Sequence, residues 1–123
     1  MCRRWSVLGA FYPYSKNHNE NRSPDQDPAV WAQNGHPEVT EAAKWALEIR
    51  YKLLPYLYTL FYRAHVFGDT VVRPLFHEFP NDNNTWGIDQ QFMWGRSILF
   101  SPFLYPVIID SVLAKTSLLI YEC

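Results

Sequence analysis

The sequence has little cysteine: Cys2 and Cys123 lie at opposite ends of its 123 residues. Two cysteines this far apart form neither a metal-ligand spacing nor a disulfide framework. The four histidines supply no metal-ligand spacing either. The sequence therefore predicts no metal site, and its cysteines do not indicate a redox compartment.

The sequence also has no large excess of charge of either sign. It contains 11 lysine and arginine residues and 12 aspartate and glutamate residues, which give a net charge of −1. A nucleic-acid-binding surface needs a basic patch or stripe, and the sequence contains none. No block of like charges suggests a patch for a membrane surface. We therefore expect no nucleic-acid partner.

Long hydrophobic runs are absent as well. The apolar stretch between residues 98 and 109 is interrupted by two prolines and is too short to span a bilayer. The stretch between residues 5 and 12 follows two arginines, but serine and glycine break it and no A-x-A cleavage site follows. We expect no transmembrane segment and no signal peptide in this chain, and the compartment stays undetermined.

Aromatic side chains are abundant and make up 17% of the residues, within an apolar total of 48%. This composition excludes a disordered tail, and the length suits one small domain. Aromatic side chains bury large areas and dominate cores, interfaces and sugar-facing surfaces. The chain is therefore expected to fold around a packed core.

The pattern predicts a long helix in the middle of the chain. Pro37 suits its first turn and Gly68 its end, and apolar residues recur between them at steps of three or four. Pro55 should kink or break this helix near its middle. Residues 15–37 are rich in Ser, Asn, Asp and Pro, which predicts a loop. Before that loop we expect the end of a helix and then a short buried strand at residues 10–14.

The segments after the helix predict strands and turns. Residues 70–79 predict a buried strand, although Pro74 cannot donate to a sheet ladder. Residues 81–84 predict a turn, residues 90–95 a short helix or strand, and residues 98–103 a further strand. The order strand, loop, helix, strand is the βαβ pattern of a parallel sheet, so the predicted fold class is α/β.

Several groups of residues resemble motifs of glycoside hydrolase family 31, in the order in which the family has them. The first group is similar to the family pattern RWxxLGAFYPFSRNHN. A Gln-Asp-Pro sequence follows it, and this resembles the digestive and lysosomal α-glucosidases more than the glucosidases that trim glycoproteins in the endoplasmic reticulum. The matching residues are Arg4-Trp5, Leu8 to Asn19, Gln26-Asp27-Pro28, Arg50 to Thr59, Arg73 to Phe79, and Gln91 to Gly95.

This resemblance implies the C-terminal portion of a (β/α)8 TIM barrel, incomplete in this chain, because a barrel needs about 250 residues. It implies hydrolysis of terminal α-linked glucose by a retaining mechanism with two carboxylates, both aspartates in this family, and no metal or cofactor. The family's nucleophile motif W-x-D-M-N-E is absent from the 123 residues, and the acid/base lies upstream of the matching segment. We therefore expect no catalytic residue in this chain and no activity of the chain alone.

His18 is the one site residue that the resemblance assigns. The matching histidine of the family lines the pocket for the glucose that is cleaved, and a neutral imidazole both donates and accepts a hydrogen bond, as sugar hydroxyls do. The strand predicted at residues 10–14 would place His18 at the end of a barrel strand, where active sites form. Lys16 stands where the family usually has arginine, whose planar fork lysine cannot copy, so the hydrogen bonding of this loop is expected to differ.

Other acidic residues are interpreted as structural. Asp89 follows a tryptophan in a segment that begins like the nucleophile motif but lacks its Met-Asn-Glu continuation. Glu78 lies in the strand predicted at residues 70–79 and is interpreted as paired structurally and not as catalytic, and Asp25 and Asp27 are expected to form turns beside prolines.

Asn83 begins the N-glycosylation sequon Asn83-Asn84-Thr85, which makes it a candidate modification site. The sequon at Asn21 is a poorer candidate because Pro24 follows it directly.

The resemblance divides the chain into residues 1–103, a partial catalytic barrel that runs into the start of the following β-sandwich, and residues 104–123, a divergent tail. Three hypotheses follow: a non-catalytic portion of an α-glucosidase, a carbohydrate-binding or interaction protein derived from the family, or a chain with no independent function. The expected partner is an oligosaccharide substrate, an α-glucoside, in the complete protein. Because the long helix is apolar on more than one side and only about two barrel strands are present, we also expect the chain alone to be poorly folded or to self-associate.

Overall fold

The computed structural model of the protein describes residues 1–102 and the backbone of residues 118–122. The chain forms two compact units, Met1–Leu53 and Leu54–Cys123. Most of the expected tail, and the end of the apolar run after residue 102, lie outside the described residues. Within the described part, no helix is both long and apolar enough to cross a membrane.

The first unit is helical. Helix α1 spans Cys2–Gly9, α2 spans Pro28–Gln33, and α3 begins at Pro37. Asp27 caps α2, since its Oδ1 accepts a hydrogen bond from the backbone N–H of Ala29 at 2.8 Å. The prediction of an uninterrupted loop before the long helix is therefore wrong, because an aspartate before a proline can start a helix as well as a turn.

The strand predicted at residues 10–14 is also wrong. These residues form turns, in which the backbone N–H of Phe11 donates to the Leu8 carbonyl at 3.0 Å and that of Tyr12 donates to the Gly9 carbonyl at 3.2 Å. Ala10 and Phe11 are buried. The apolar character that suggested a strand thus reflects a buried turn, and periodicity in so short a segment cannot distinguish the two.

Helix α3 spans Pro37–Phe67, as predicted. Gly68 follows it in the left-handed conformation with φ of 75°, and its backbone N–H donates to the Ala64 carbonyl at 3.0 Å, which completes the helix end. The helix continues through Pro55 without ending, so the break that Pro55 suggested does not occur.

The second unit contains a four-stranded sheet in the order β1-β2-β3-β4, in which every neighbouring pair is antiparallel. The predicted parallel βαβ arrangement is therefore wrong for the described strands. Strands β2 and β3 confirm the predictions at residues 90–95 and 98–103. The strands are β1 (Val72–Arg73), β2 (Phe92–Trp94), β3 (Ile98–Pro102) and β4 (Leu118–Glu122).

Four residues of the strand predicted at residues 70–79 instead form a short helix, α4, at Leu75–Glu78. Strand β1 has only two residues because Pro74 follows it and cannot donate to the ladder. Pro74 takes the extended conformation and stands at the N-cap of α4. Pro74 is therefore compatible with the structure, because it lies between the end of β1 and the start of α4 and not within a strand.

Aromatic packing forms the core of the second unit. Met93, Trp94 and Phe100 are fully buried. The ring of Phe100 lies 5.0 Å from that of Trp94 and 5.2 Å from that of Phe92, measured between centroids, which are favourable separations for aromatic pairs. The motif residues around position 93 therefore stabilise the sheet.

Gly95 begins the three-residue loop between β2 and β3 and has φ of 54°. A Cβ here would lie 2.5 Å from Cδ2 of Leu60 and 2.7 Å from the hydroxyl oxygen of Tyr56. We predict that Gly95→Ala lowers the free energy of unfolding by about 2 kcal/mol, because alanine disfavours left-handed backbone and Leu60 must move. Thermal unfolding measures the loss. Gly68→Ala is the control, since φ is positive there but nothing lies within 4 Å of the added Cβ. Equal losses of unfolding free energy in the two variants would show that the close approach of Leu60 and Tyr56 to residue 95 does not affect stability.

Candidate functional site

His18 lies in a loop of residues 15–27, the His18 loop. The side chains of Asn17 and Asn19, on either side of His18, hold the backbone of this loop by hydrogen bonds. Nδ2 of Asn19 donates to the carbonyl of Ser23 at 2.8 Å and to that of Glu20 at 3.0 Å. Nδ2 of Asn17 donates to the carbonyl of Gln26. The Asn-His-Asn sequence therefore uses its outer side chains to hold the loop backbone.

His18 itself is exposed. Its Nδ1 lies 3.1 Å from the carbonyl oxygen of Asn19. A carbonyl oxygen can only accept, so Nδ1 carries the hydrogen in this bond, and the neutral ring keeps Nε2 as an acceptor. Because Nε2 makes no hydrogen bond to the described residues, His18 presents an open acceptor to a hydroxyl group from outside.

Arg50 on α3 fixes the turn that leads into this loop. Its Nη1 donates to the carbonyls of Ala10 and Tyr12, each at 2.6 Å, and its Nη2 donates to the carbonyl of Pro13 at 3.0 Å. The strand that was expected to position His18 is thus replaced by an irregular turn whose carbonyls are satisfied by one guanidinium.

Only indirect signals for the roles of Arg50, Asn17 and Asn19 are present in the sequence. Arg50 belongs to the second family motif, but nothing local in the sequence indicates which carbonyls it contacts. Asn17 and Asn19 belong to the first motif, and asparagine commonly bonds nearby backbone. Lys16 is exposed and takes no part in the hydrogen bonds that hold the loop.

In the second unit, Glu78 lies between two arginines, which confirms the expectation that it is paired. Arg73 Nη1 donates to Glu78 Oε1, and Arg96 Nε donates to Glu78 Oε2 at 3.0 Å. The side chains of Arg73 and Glu78 are each 10% exposed, whereas that of Arg96 is 81% exposed. Arg73 Nε also donates to the carbonyl of Thr70 at 3.1 Å. The buried part of the cluster is therefore the Arg73–Glu78 pair.

The pKa of Glu78 shows what this carboxylate can do. Burial alone would raise the pKa, but the hydrogen bonds and charges of Arg73 and then Arg96 outweigh it and hold the pKa below its ordinary value of 4.5. A general acid that works near neutral pH needs a raised pKa. Glu78 stays ionised, so the environment excludes it as a general acid.

The same cluster lines a cleft of about 590 Å³ within the second unit. Arg63 and Asp69 also line it, and Nε of Arg63 donates to Oδ2 of Asp69 at 2.7 Å. The carboxylates of Asp69 and Glu78 are therefore both paired with arginines in this cleft, which His77 also lines. Asp89 is exposed in a loop. Among the side chains that the structure describes, no three of His, Cys, Asp or Glu come together in a group that could hold a metal ion.

The two sequons lie in different surroundings. Asn83 is exposed and begins a one-turn 3-10 helix, Asn83–Thr85, whose Thr85 is buried. Asn21 is exposed in a turn within the His18 loop. Both asparagines are therefore accessible in the folded chain.

Comparison with known domain families gives two matches along the chain. Residues 1–60 match the glycosyl hydrolases family 31 TIM-barrel domain. Residues 68–118 match the glycosyl hydrolase family 31 C-terminal domain. Together the two matches cover most of the 123 residues.

Curated relatives are similar over a small part of their own length. Human intestinal sucrase-isomaltase is 53% identical over 104 residues, which are 85% of this chain and 6% of that protein. Mouse lysosomal alpha-glucosidase is 51% identical over 106 residues, 86% of this chain and 11% of that protein. These relatives confirm the expected similarity to digestive and lysosomal α-glucosidases.

Solved structures resemble the chain as well. A family 31 alpha-glucosidase from Bacteroides thetaiotaomicron matches 98% of this chain and 21% of its own with a TM-score of 0.79 and 30% identity. A Flavobacterium johnsoniae family 31 dextranase complexed with glucose matches 89% of this chain and 12% of its own with a TM-score of 0.70 and 33% identity.

Proposed function

Because the chain belongs to glycosyl hydrolase family 31, we propose that it forms part of an α-glucosidase that removes terminal α-linked glucose from oligosaccharides, and that His18 contacts the glucose. The observation that carries this proposal is the exposed His18, whose Nε2 is an open acceptor on a loop held by its neighbours. A glucose hydroxyl could donate to Nε2 while its own oxygen accepts from other groups.

The chain supplies binding and not bond cleavage in this proposal. A retaining mechanism needs a nucleophilic carboxylate and an acid/base, and neither family motif for these occurs in the 123 residues. Glu78 is held ionised by two arginines, and Asp89 lies in an exposed loop. The two aspartates of the complete protein would come from sequence outside this segment.

The domain division also belongs to this proposal. We interpret the chain as the end of the barrel, incomplete here, followed by the start of the next domain, with residues 1–103 and 104–123 as the expected division. The match of residues 1–60 to the barrel domain and that of residues 68–118 to the C-terminal domain support a chain that runs from the end of the barrel into the next domain.

We predict that the purified 123-residue chain releases no glucose from maltose, because it contains neither carboxylate of the retaining mechanism. Glucose release above a buffer blank is the measurement. The His18→Ala chain is the control for contamination, since a contaminating glucosidase would be unaffected by it. Glucose release by the wild-type chain that is abolished in His18→Ala would show that this chain itself catalyses hydrolysis, and it would contradict the proposal.

A second candidate is a carbohydrate-binding protein without hydrolysis. It is favoured by one observation: the hydrogen bonds that Asn19 and Arg50 donate to the His18 loop and to the turn before it come from within the chain itself. Titration of the chain with glucose, followed by the backbone amide NMR signals of the loop that carries His18, distinguishes the two candidates. Saturable binding by the chain alone, lost in His18→Ala, would favour the binding protein.

We predict that the chain alone self-associates. Tyr58, which is 78% exposed, Phe61 and Tyr62 leave a continuous aromatic surface on the second half of α3, and apolar patches of this kind promote association. Size exclusion and binding of a hydrophobic dye measure this. A sharp monomer peak without dye binding would show an autonomous domain and would shift the interpretation towards the binding protein.

A further inference from the structure

The turn around the Asn83 sequon is held by hydrogen bonds of Asp82, Asn84 and Thr85, and among the described residues the side-chain amide of Asn83 takes no part in them. Oδ1 of Asp82 accepts from the backbone N–H of Asn84 at 3.0 Å and from Nδ2 of Asn84 at 2.8 Å. The hydroxyl of Thr85 donates to the carbonyl of Asp82 at 2.8 Å. The Asn83 amide makes no hydrogen bond within the described part of the chain, and it is exposed. A group added to Nδ2 of Asn83 would therefore break no bond that holds this turn.

Trp86 lies on the same side of the turn. In a 3-10 helix, side chains three residues apart stand one above the other, and the backbone N–H of Trp86 donates to the Asn83 carbonyl at 3.4 Å. Nε1 of Trp86 donates to the Pro80 carbonyl at 3.2 Å, which fixes the direction of the ring. The side chain is nevertheless 63% exposed. A large apolar surface is thus held in place next to the sequon asparagine.

We propose that Asn83 carries an N-linked glycan whose first sugar packs on the ring of Trp86. Nδ2 of Asn83 attacks the anomeric carbon of an oligosaccharide carried on a lipid diphosphate. The new C–N bond forms as the bond from that carbon to the diphosphate oxygen breaks, Nδ2 loses a proton, and the lipid diphosphate leaves. The C–H face of the sugar then removes part of the Trp86 ring from water, while its hydroxyls stay solvated.

This proposal is independent of the role of His18, and it separates the two sequons. Asn21 is followed by Arg22, Ser23 and Pro24. The Ser23 carbonyl accepts from Asn19, so the Asn21 sequon belongs to the backbone bonding of the His18 loop. No exposed tryptophan stands three residues after Asn21, where Pro24 lies instead. A glycan on Asn83 alone is therefore expected.

Occupancy is the first test. The 123-residue chain is directed into the endoplasmic reticulum of cultured cells by a cleavable leader, and its intact mass is measured before and after treatment with an N-glycosidase. We expect one glycan, lost in Asn83→Gln and retained in Asn21→Gln. An unmodified chain, or a glycan that Asn21→Gln removes, would overturn the proposal.

Packing on Trp86 is the second test. Hydroxyl-radical footprinting with mass spectrometry compares the glycosylated chain, Asn83→Gln and the enzymatically deglycosylated chain, each taken from the monomer fraction of a size-exclusion column so that self-association does not shield the ring. We expect oxidation of Trp86 to fall several-fold in the glycosylated chain, while Trp5, which is 58% exposed in the other unit, stays equally reactive in all three. Equal oxidation of Trp86 in the three samples would overturn the packing of the sugar on the ring.

Discussion

The His18→Ala variant of the complete protein is expected to lose about 5- to 150-fold in kcat/KM, which corresponds to about 1–3 kcal/mol of transition-state stabilisation. The reason is the loss of Nε2, the acceptor that the structure leaves open on an exposed imidazole. The melting temperature should barely change, because the one hydrogen bond of this side chain to the described residues is to the neighbouring Asn19 carbonyl. Steady-state kinetics with maltose and thermal unfolding give the two measurements.

Two further variants separate contact with the sugar from support of the loop. His18→Gln keeps a side-chain acceptor and should recover part of the lost kcat/KM. Arg50→Lys removes the planar fork that holds the Ala10, Tyr12 and Pro13 carbonyls, so it should lower the melting temperature as well as kcat/KM. Activity within about twofold of the wild type in His18→Ala would show that this residue is structural.

The elements that the sequence predicted well are those with long or unambiguous local signals. Helix α3 combines a proline start, a glycine end and a sustained apolar period, and all of these act within the helix itself. The strand prediction at residues 10–14 was wrong because a segment of five residues is too short to carry a usable period. The parallel sheet failed because strand direction depends on partners distant in the chain: β1 pairs with β2 across α4 and the 3-10 helix, and no local pattern encodes that pairing.

The residues of the candidate site likewise differ in how far the sequence alone predicts them. His18 could be assigned from its motif, but the bonds that hold its loop could not, because Arg50 reaches carbonyls about 40 residues earlier in the chain. The partners of Glu78 were equally hidden. Its pairing was expected from its type and position, yet its second partner, Arg96, is 18 residues away. Such tertiary contacts are fixed by the packing of elements and not by residue spacing.

Glu78→Gln is expected to lower the free energy of unfolding by about 3 kcal/mol, the lower end of the cost of breaking a buried ion pair. The variant keeps the shape of the side chain and one acceptor oxygen, but it leaves the guanidinium of Arg73 buried without a counter-charge. Arg96→Gln is the matched control. That arginine bonds the same carboxylate but is 81% exposed, so its removal should cost only about 0–1 kcal/mol. Equally small losses in both variants would show that the Arg73–Glu78 pair does not stabilise the unit.

The difference in unfolding free energy between wild type and Glu78→Gln should depend on pH, which provides an independent check. The pKa of Glu78 is lower in the folded protein than its ordinary value of 4.5, so the folded state binds the proton less readily than the unfolded state does. The stabilisation from Glu78 is therefore fully present above pH 4.5 and is lost as the pH falls through the lower, folded pKa. Glutamine does not titrate, so the gap between wild type and Glu78→Gln should narrow in that acidic range. Urea unfolding of both proteins at neutral pH and well below pH 4.5 measures the gap, and a gap that stays constant would mean that the carboxylate charge is not what stabilises this cluster.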